Sequence, residues 1–346
     1  MKSSFKKIIA KNIKPFIIAE ISANHNGSLT KAKKMITAAK KAGASAVKIQ
    51  SYEAESMTIN SRKKDFRIKH GIWKGQNLFD LYESAKTPFS WHQSLFSHAK
   101  KEEIIIFSTP FDYSAVDLLD KLNVPFYKIA SFEITDLSLI EYIASKKKPI
   151  LLSTGMSNEK EIGEALEVIK SKGINEILLF HCISSYPAKV EEYNLNMIKT
   201  LENQFKTLVG LSDHTIGIEA ASAAIALGAV AIEKHFKINQ NDTGPDAIFS
   251  SDSTEIRNLV SATNKIWKGL GVGSYKRAKD EKKNIIFRRS LYFVKELKKG
   301  SVIKKEDIRS IRPGYGLKPK YLNQVITKKT SRKVNIGDRV SWKNIE

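Results

Sequence analysis

The sequence predicts a TIM-type (β/α)8 barrel over residues 1–280, followed by a small β-rich domain over 281–346. Three observations carry this expectation. Eight short runs rich in Ile and Val recur along the first two-thirds of the 346-residue chain. Helix-like segments separate most of them. No glycine-rich dinucleotide loop follows the first run, which favours the barrel over an open doubly wound sheet.

The eight runs are FIIAEIS (16–22), AVKIQ (46–50), IIIFSTP (104–110), PFYKIAS (125–131), PILLSTG (149–155), EILLFHCIS (176–184), TLVGLSD (207–213) and VAIEKHF (230–236). Short, continuously apolar runs read as strands buried on both faces of a parallel sheet. Between them, LTKAKKMITAAKKAGA has helical spacing and stops at Gly43. SNEKEIGEALEVIKSKG offers Ser157 as an N-cap and stops at Gly173. IEAASAAIALGA is small and apolar, fit for close packing on a barrel. The segment 51–92 is longer than an ordinary βα connection, and its aromatics argue against disorder. It is expected to form a lid or wall over the site. After the last run the chain is polar and lysine-rich, with a helix-like TEIRNLVSATNKIWKGLG. The β-like runs of the small domain begin near Phe287, with KKG and RPGYG turns, and end in VNIGDRVSWKNIE.

Composition narrows the function class. Apolar content of 42% and charged content of 27% are those of a soluble globular protein. The N-terminal MKSSFKKIIAKNIKPF is basic, but its apolar run is too short for a secretory signal. No stretch approaches a membrane span. One cysteine, Cys182, excludes an intrachain disulfide and fits a reducing cytoplasm. The net charge of +22 invites a nucleic-acid reading. The lysines are scattered, however, and no helix-turn-helix, RNP or zinc-finger spacing is present, so no nucleic-acid or membrane partner is expected.

The strand ends carry the chemistry. Side chains at the C-terminal ends of barrel strands face the active site. Here all eight ends are polar, which packing alone does not explain, because buried unpaired polar groups cost free energy. Lys48 and Lys128, with hydroxyls at Thr109, Ser131, Ser153 and Ser212, suit an anion such as a phosphate or carboxylate. The alternative is that each lysine snorkels to solvent. His214 and His235 end strands seven and eight, neighbours in a barrel, and are a candidate pair of ligands for a divalent metal. The alternative is a pair of satisfied polar residues. Glu20, Glu133 and Asp246 are candidates for acid–base work or for binding sugar hydroxyls. Asp213 is a candidate for orienting its neighbours, and Cys182 reads as a small core residue.

In order along the chain, AEISANHNG, VKIQ, FSTPF, YKIAS, LLSTGM, SSYP, GLSDHTIG, EKHF and GPDA resemble the sialic acid synthase family. RRSLY and RPGYGLKP resemble its antifreeze-like (SAF) domain. The resemblance covers nearly the whole chain. Within the family, LFDLYESAKTPFSWH looks most like the pseudaminic acid synthase branch. The resemblance implies condensation of phosphoenolpyruvate with an amino-sugar aldehyde. The expected sugar is 2,4-diacetamido-2,4,6-trideoxy-β-L-altropyranose, and the products are pseudaminic acid and phosphate. An N-acetylneuraminate or legionaminate synthase is the alternative.

By motif, the resemblance places phosphoenolpyruvate on Lys48, Thr109, Lys128, Ser131, Ser153 and Ser212, and a divalent metal (manganese, magnesium or cobalt) on His214 and His235. Gln50, Glu133 and Asp246 match sugar-contacting or catalytic positions, Glu20 a carboxylate near the metal, and Tyr186 and Ser184 the strand-six site. Ser184 departs from the asparagine common in the family. Arg312 matches an arginine that the SAF domain supplies to a partner subunit's site, which implies a homodimer. Trp73, Phe79 and Tyr82 are candidate contacts for a 6-deoxy sugar. Two other classes fit less well. A metal-dependent hydrolase would want more ligands on strand one than His25, and a non-catalytic carbohydrate-binding protein would not need the full set of strand-end Lys, Ser and His.

Overall fold

Eight parallel strands close into a barrel in chain order in the computed structural model, which describes residues 5–346. They are β1 (Phe16–Glu20), β2 (Ala46–Ser51), β3 (Ile105–Pro110), β4 (Tyr127–Ile129), β5 (Ile150–Ser153), β6 (Ile177–Cys182), β7 (Leu208–Asp213) and β8 (Ala231–His235). Each lies within one of the predicted runs or extends it by a single residue. Closure is made by β8 on β1, with Phe16 opposite Ala231 and Glu20 opposite His235.

Alternation along the strands sorts their residues into two cores. Ile17, Ala19, Val47, Ile49, Leu152, Leu179 and Leu211 join the outer cluster with the surrounding helices. Phe16, Ile18, Ala46, Phe107, Phe126, Leu151, Leu178, Phe180 and Ala231 fill the barrel. Phe5 and Ile9 plug its lower end, with the Phe5 and Phe126 rings 6.2 Å apart. Gly210 is required here, because a Cβ would stand 2.7 Å from the Phe180 ring and 2.8 Å from the Ala231 carbonyl. Further along, the same inner face turns polar on every strand but β6, which ends in Cys182.

The helices start and stop on local signals. The helix Leu29–Ala42 is capped by Ser28 and ends at Gly43, whose φ of +93° suits glycine. The helix Glu159–Ser171 begins one residue later than the sequence suggested. Asn158, not Ser157, is its N-cap, in a capping box with Glu161. Asp252 and Glu255 form another box on Ser253–Leu270.

The segment 51–92 is structured. A short antiparallel hairpin pairs Arg67 with Asn77, and helix Leu78–Ala85 follows. Both ends are pinned. The Ser51 hydroxyl lies 2.6 Å from His92 Nε2, and Thr87 Oγ1 lies 3.2 Å from His25 Nε2.

The chain divides into two compact units, the first ending at Gly271 and the second running Val272–Glu346. The second contains β9 (Ser290–Phe293) paired antiparallel with β10 (Ile308–Ile311). The C-terminal stretch joins it by isolated bridges at Val334, Arg339 and Ile345, with no continuous strand. Leu291, Phe293, Ile303, Val325, Val334 and Val340 form its core. Gly316 of the RPGYG turn lies so close to the Leu291 carbonyl that a Cβ would sit 2.3 Å away. Among the described residues no helix is long and apolar enough to cross a membrane.

Candidate active site

The polar upper layer of the barrel gathers Glu20, Lys48, Thr109, Lys128, Ser153, Ser212, Glu233 and His235, all buried. Lys48 Nζ lies 2.9 Å from Glu20 Oε2 and 3.2 Å from Glu233 Oε1, and donates to Thr109 Oγ1 at 3.2 Å. Lys128 Nζ donates to Ser153 Oγ at 2.6 Å and stands 3.9 Å from Glu233 Oε1. Ser212 Oγ donates to the same Glu233 oxygen at 3.3 Å. Neither lysine snorkels; both ammonium groups stay inside.

Glu233 is therefore a hub for two lysines and a hydroxyl. Burial alone would raise its pKa, but Lys128 and Lys48 hold it below the usual value, so it is a carboxylate. Glu20 differs. Burial pushes it up to about 7 against the pull of Lys48, and the charge on Glu233 adds to the rise. Burial opposes the charge on Lys48, and Glu20 and Glu233 more than reverse this. Lys128 is lowered by burial, with Glu233 resisting.

Ser131, Ser184 and Gly155 make a cradle beside Lys128. Gly155 N–H donates to Ser131 Oγ at 3.0 Å. A Cβ on Gly155 would stand 2.4 Å from Ser184 Oγ and 2.8 Å from Ser131 Oγ, so only glycine lets the two hydroxyls converge. Glu133 follows in the turn Ser131–Glu133. Its Oε2 is buried without a hydrogen-bond partner among the described residues, and burial pushes its pKa up to about 7, opposed by Lys128. Gln50 is half-buried at the end of β2.

The two imidazoles lie with ring centroids 5.4 Å apart. His214 Nδ1–H donates to the Ile183 carbonyl at 2.9 Å, so in the neutral ring the lone pair is on Nε2. The backbone behind it is fixed by Tyr193, whose hydroxyl accepts from His214 N and donates to the Ser212 carbonyl, both at 2.9 Å. Burial lowers His214, while Cys182 and the Ile183 carbonyl raise it further than burial lowers it. His235 is held well below its usual value by burial and by His214, and is a neutral imidazole. Its Nδ1 is buried without a hydrogen-bond partner among the described residues, 3.8 Å from Asp246 Oδ2. A neutral imidazole with an unpartnered nitrogen beside a second one fits a divalent cation that takes its remaining ligands from water or substrate. Among the described residues no third histidine, cysteine or carboxylate completes a closed metal cluster.

An aromatic wall backs the imidazoles. The Tyr186 ring lies 4.4 Å from His214, and the Phe249 ring 4.8 Å from His235. Trp73, at the turn of the 67–77 hairpin, packs on Tyr186 at 5.7 Å and Phe249 at 6.4 Å, and its Nε1–H donates to the Pro245 carbonyl at 3.1 Å. Of the segment 51–92, Trp73 joins this wall. Tyr82 packs on Tyr52, with ring centroids 5.9 Å apart.

Other strand-end polars have structural work. Asp213 and Lys234 form a fully buried pair at 2.7 Å, and Asp213 also holds the Thr215 N–H and hydroxyl. Asn24 donates to the Phe236 carbonyl and Ser250 Oγ. His25 is lowered by burial to about 4 and ties the first βα turn to Thr87. Cys182 faces this layer, its Sγ 3.9 Å from both His214 Nδ1 and Ser184 Oγ. Arg312 is exposed on the second unit, just after β10.

Phe249, Tyr193 and Gly155 were not singled out from the sequence, and Glu233 was read there as a polar strand end without a role. A signal for Glu233 existed, because it precedes His235 by two residues and so shares its face. Phe249 and Tyr193 lie in loops whose course no periodicity reveals.

Residues 35–275 match the NeuB family, and residues 288–346 match the SAF domain. The chain is 44% identical over 325 residues to a pseudaminic acid synthase of Campylobacter jejuni, covering 94% of this chain and 95% of the relative. It is 40% identical over 323 residues to the N,N'-diacetyllegionaminic acid synthase of the same species, covering 91% of this chain and 96% of the relative. Among solved structures it resembles an N-acetylneuraminic acid (sialic acid) synthetase from Leptospira borgpetersenii, with a TM-score of 0.71 and 33% identity over 79% of this chain and 91% of that one.

Proposed function

The chain belongs to the NeuB family, and from that membership we propose that it is a pseudaminic acid synthase. It would join phosphoenolpyruvate, water and 2,4-diacetamido-2,4,6-trideoxy-β-L-altropyranose to give pseudaminic acid and phosphate. The geometry that carries the reaction class is the pair of buried lysines astride Glu233, next to a hydroxyl cradle and two imidazoles. The likeness over nearly the full length of pseudaminic acid synthases supports the choice of sugar.

Lys48, Thr109, Lys128, Ser131, Ser153 and Ser212 would hold the carboxylate and phosphate of phosphoenolpyruvate, with the Gly155 cradle adding room for phosphate oxygens. The incoming anion takes over the charge balance that Glu233 supplies to both lysines. His214 and His235 would hold a divalent cation, manganese being the first candidate, which when bound polarises the aldehyde carbonyl as a Lewis acid.

Phosphoenolpyruvate C3 attacks the aldehyde carbon, and positive charge develops at C2. Water captures C2, and the tetrahedral intermediate loses phosphate by C–O cleavage. The aldehyde oxygen takes up one proton, and the water gives up two, the second leaving with phosphate as C2 becomes a ketone. Glu20 and Glu133, both raised to about 7, are suited to hold and pass them. Gln50, Ser184, Tyr186 and Asp246 line the sugar side.

Phe132, Met156, Ile216 and Ile248 are each more than half exposed, in the loops after β4, β5, β7 and β8. This apolar rim supports a homodimer in which the SAF domain, through Arg312, reaches the partner's site. The single cysteine fits a cytoplasmic location.

The test is incubation with phosphoenolpyruvate, Mn²⁺ and, in parallel, the altrose sugar, its legionaminate-type counterpart and N-acetylmannosamine. Phosphate release and the mass of the 2-keto acid are followed. Turnover with the altrose sugar alone supports the proposal. Turnover with the legionaminate precursor, which the 40% identity to a legionaminic acid synthase favours as second reading, keeps the chemistry and replaces the sugar. No phosphate from any sugar overturns the synthase reading.

A further inference from the structure

We propose that Trp73 determines specificity for a second acetamido group on the sugar, selecting it over a hydroxyl at the same carbon. The inference rests on the synthase reading above. In that reaction the aldehyde carbon stands beside His214 and His235. Tyr186 and Phe249 touch those imidazoles directly, at 4.4 and 4.8 Å, and so flank the 2-acetamido group on the adjoining carbon. Trp73 does not pack on either imidazole. It lies one ring further out, 5.7 Å from Tyr186 and 6.4 Å from Phe249, where an extended sugar presents its 4-substituent.

The indole is held for this purpose. Its Nε1–H is already committed to the Pro245 carbonyl at 3.1 Å, next to Asp246. What remains is a half-buried apolar ring, packed on Tyr186 and Phe249, with part of its surface open. The hairpin behind it is closed by Ile68 N–H to the Gln76 carbonyl and Gly75 N–H to the Ile68 carbonyl, both at 2.9 Å. Arg67 Nε donates to the Gly75 carbonyl at 3.2 Å, and Asn77 Nδ2 to the Ser61 carbonyl at 2.7 Å. A flat acetamido group with a terminal methyl covers such a face well. A hydroxyl there loses hydrogen bonds to water and gains none from the ring. The preference therefore has two sources, apolar packing that favours one substituent and a desolvation penalty that disfavours the other.

The experiment compares kcat/KM for 2,4-diacetamido-2,4,6-trideoxy-altrose with that for the same sugar bearing a 4-hydroxyl. The ratio of the two is the readout. Trp73→Ala is expected to lower this ratio by about tenfold, the scale on which an apolar pocket discriminates one small group. Trp73→Phe, which keeps a ring face, should retain it within about threefold. Lys74→Ala, exposed on the same hairpin, should leave both constants unchanged. Thermal melting and calorimetric titration with phosphoenolpyruvate establish that each variant is folded and binds the first substrate. Trp73→Leu replaces the alanine variant if that one does not fold. Equal losses on both sugars, or an unchanged ratio, overturn the inference and leave the synthase reading in place. Wild-type protein that binds phosphoenolpyruvate and turns over neither sugar overturns the synthase reading itself.

Discussion

Replacing Glu233 by Gln tests whether the two buried lysines share one counter-charge. Gln keeps the volume and an oxygen for Ser212, but removes the charge. Among the described residues, Lys48 then retains only Glu20, at 2.9 Å, and Lys128 loses its one ion-pair partner. With an effective dielectric of about 20, the attractions lost are about 5 kcal/mol at the 3.2 Å separation and about 4 kcal/mol at 3.9 Å. Desolvation already offsets much of that in the folded protein. Removing one member of a buried ionic group costs about 3–5 kcal/mol net, and the retained volume places this variant near the lower figure. At about 2–4 °C per kcal/mol, Tm should fall by roughly 6–12 °C. Phosphoenolpyruvate brings anionic charge to the same lysines, so it should restore more stability in the variant than in the wild type. The assay is a pair of thermal melts, each with and without saturating phosphoenolpyruvate. A Tm within about 1 °C of wild type, or a phosphoenolpyruvate-induced rise no larger than in the wild type, would refute the shared-charge argument.

Glu133 gives a pH signature. Its pKa is raised from 4.5 to about 7 by burial, so the neutral form is the one the fold favours. Its contribution to stability is present below about 4.5 and is lost as pH rises toward 7. At about 1.4 kcal/mol per unit, the upper bound on that loss is about 3.5 kcal/mol. Glu133→Gln should therefore gain in Tm relative to wild type between pH 5 and pH 8, and parallel melting curves across that range would contradict the burial argument. Gly155→Ala places a Cβ 2.4 Å from Ser184 Oγ and should weaken phosphoenolpyruvate binding at least tenfold by calorimetry, with the barrel still folded. Chelation should abolish turnover, and His214→Ala with His235→Ala should lose bound divalent metal by elemental analysis while keeping a cooperative melt. Retained metal in the double variant would place the ion elsewhere.

Much of this site was legible in the sequence because a barrel strand has a period of two. In AVKIQ, Ala46, Lys48 and Gln50 share a face, as do Glu233 and His235 in VAIEKHF. Reading the ends of eight runs therefore located the lysines, the hydroxyls and both imidazoles. The same reading did not separate site residues from framework. Asp213 and Lys234 look as reactive in the sequence as Glu233, yet they neutralise each other beneath the β7 and β8 ends. His25 looks like a ligand and is a tie to Thr87. Ser157 and Asn158 are both good caps, and the capping box with Glu161 selected Asn158.

The sequence by itself determined the elements and the inner face of each strand, because hydrophobic periodicity and capping are set by residues a few positions apart. Tertiary structure alone decided which charges share a partner. Glu233 serves lysines on β2 and β4 only because β8 closes on β1, with Phe16 opposite Ala231. It also decided that Trp73 reaches the imidazoles' wall while Tyr82 packs on Tyr52, since that rests on a hairpin anchored to the Pro245 carbonyl 172 residues away. Interactions between groups so distant in the chain depend on barrel closure and loop packing, and those distances are not written in any local pattern.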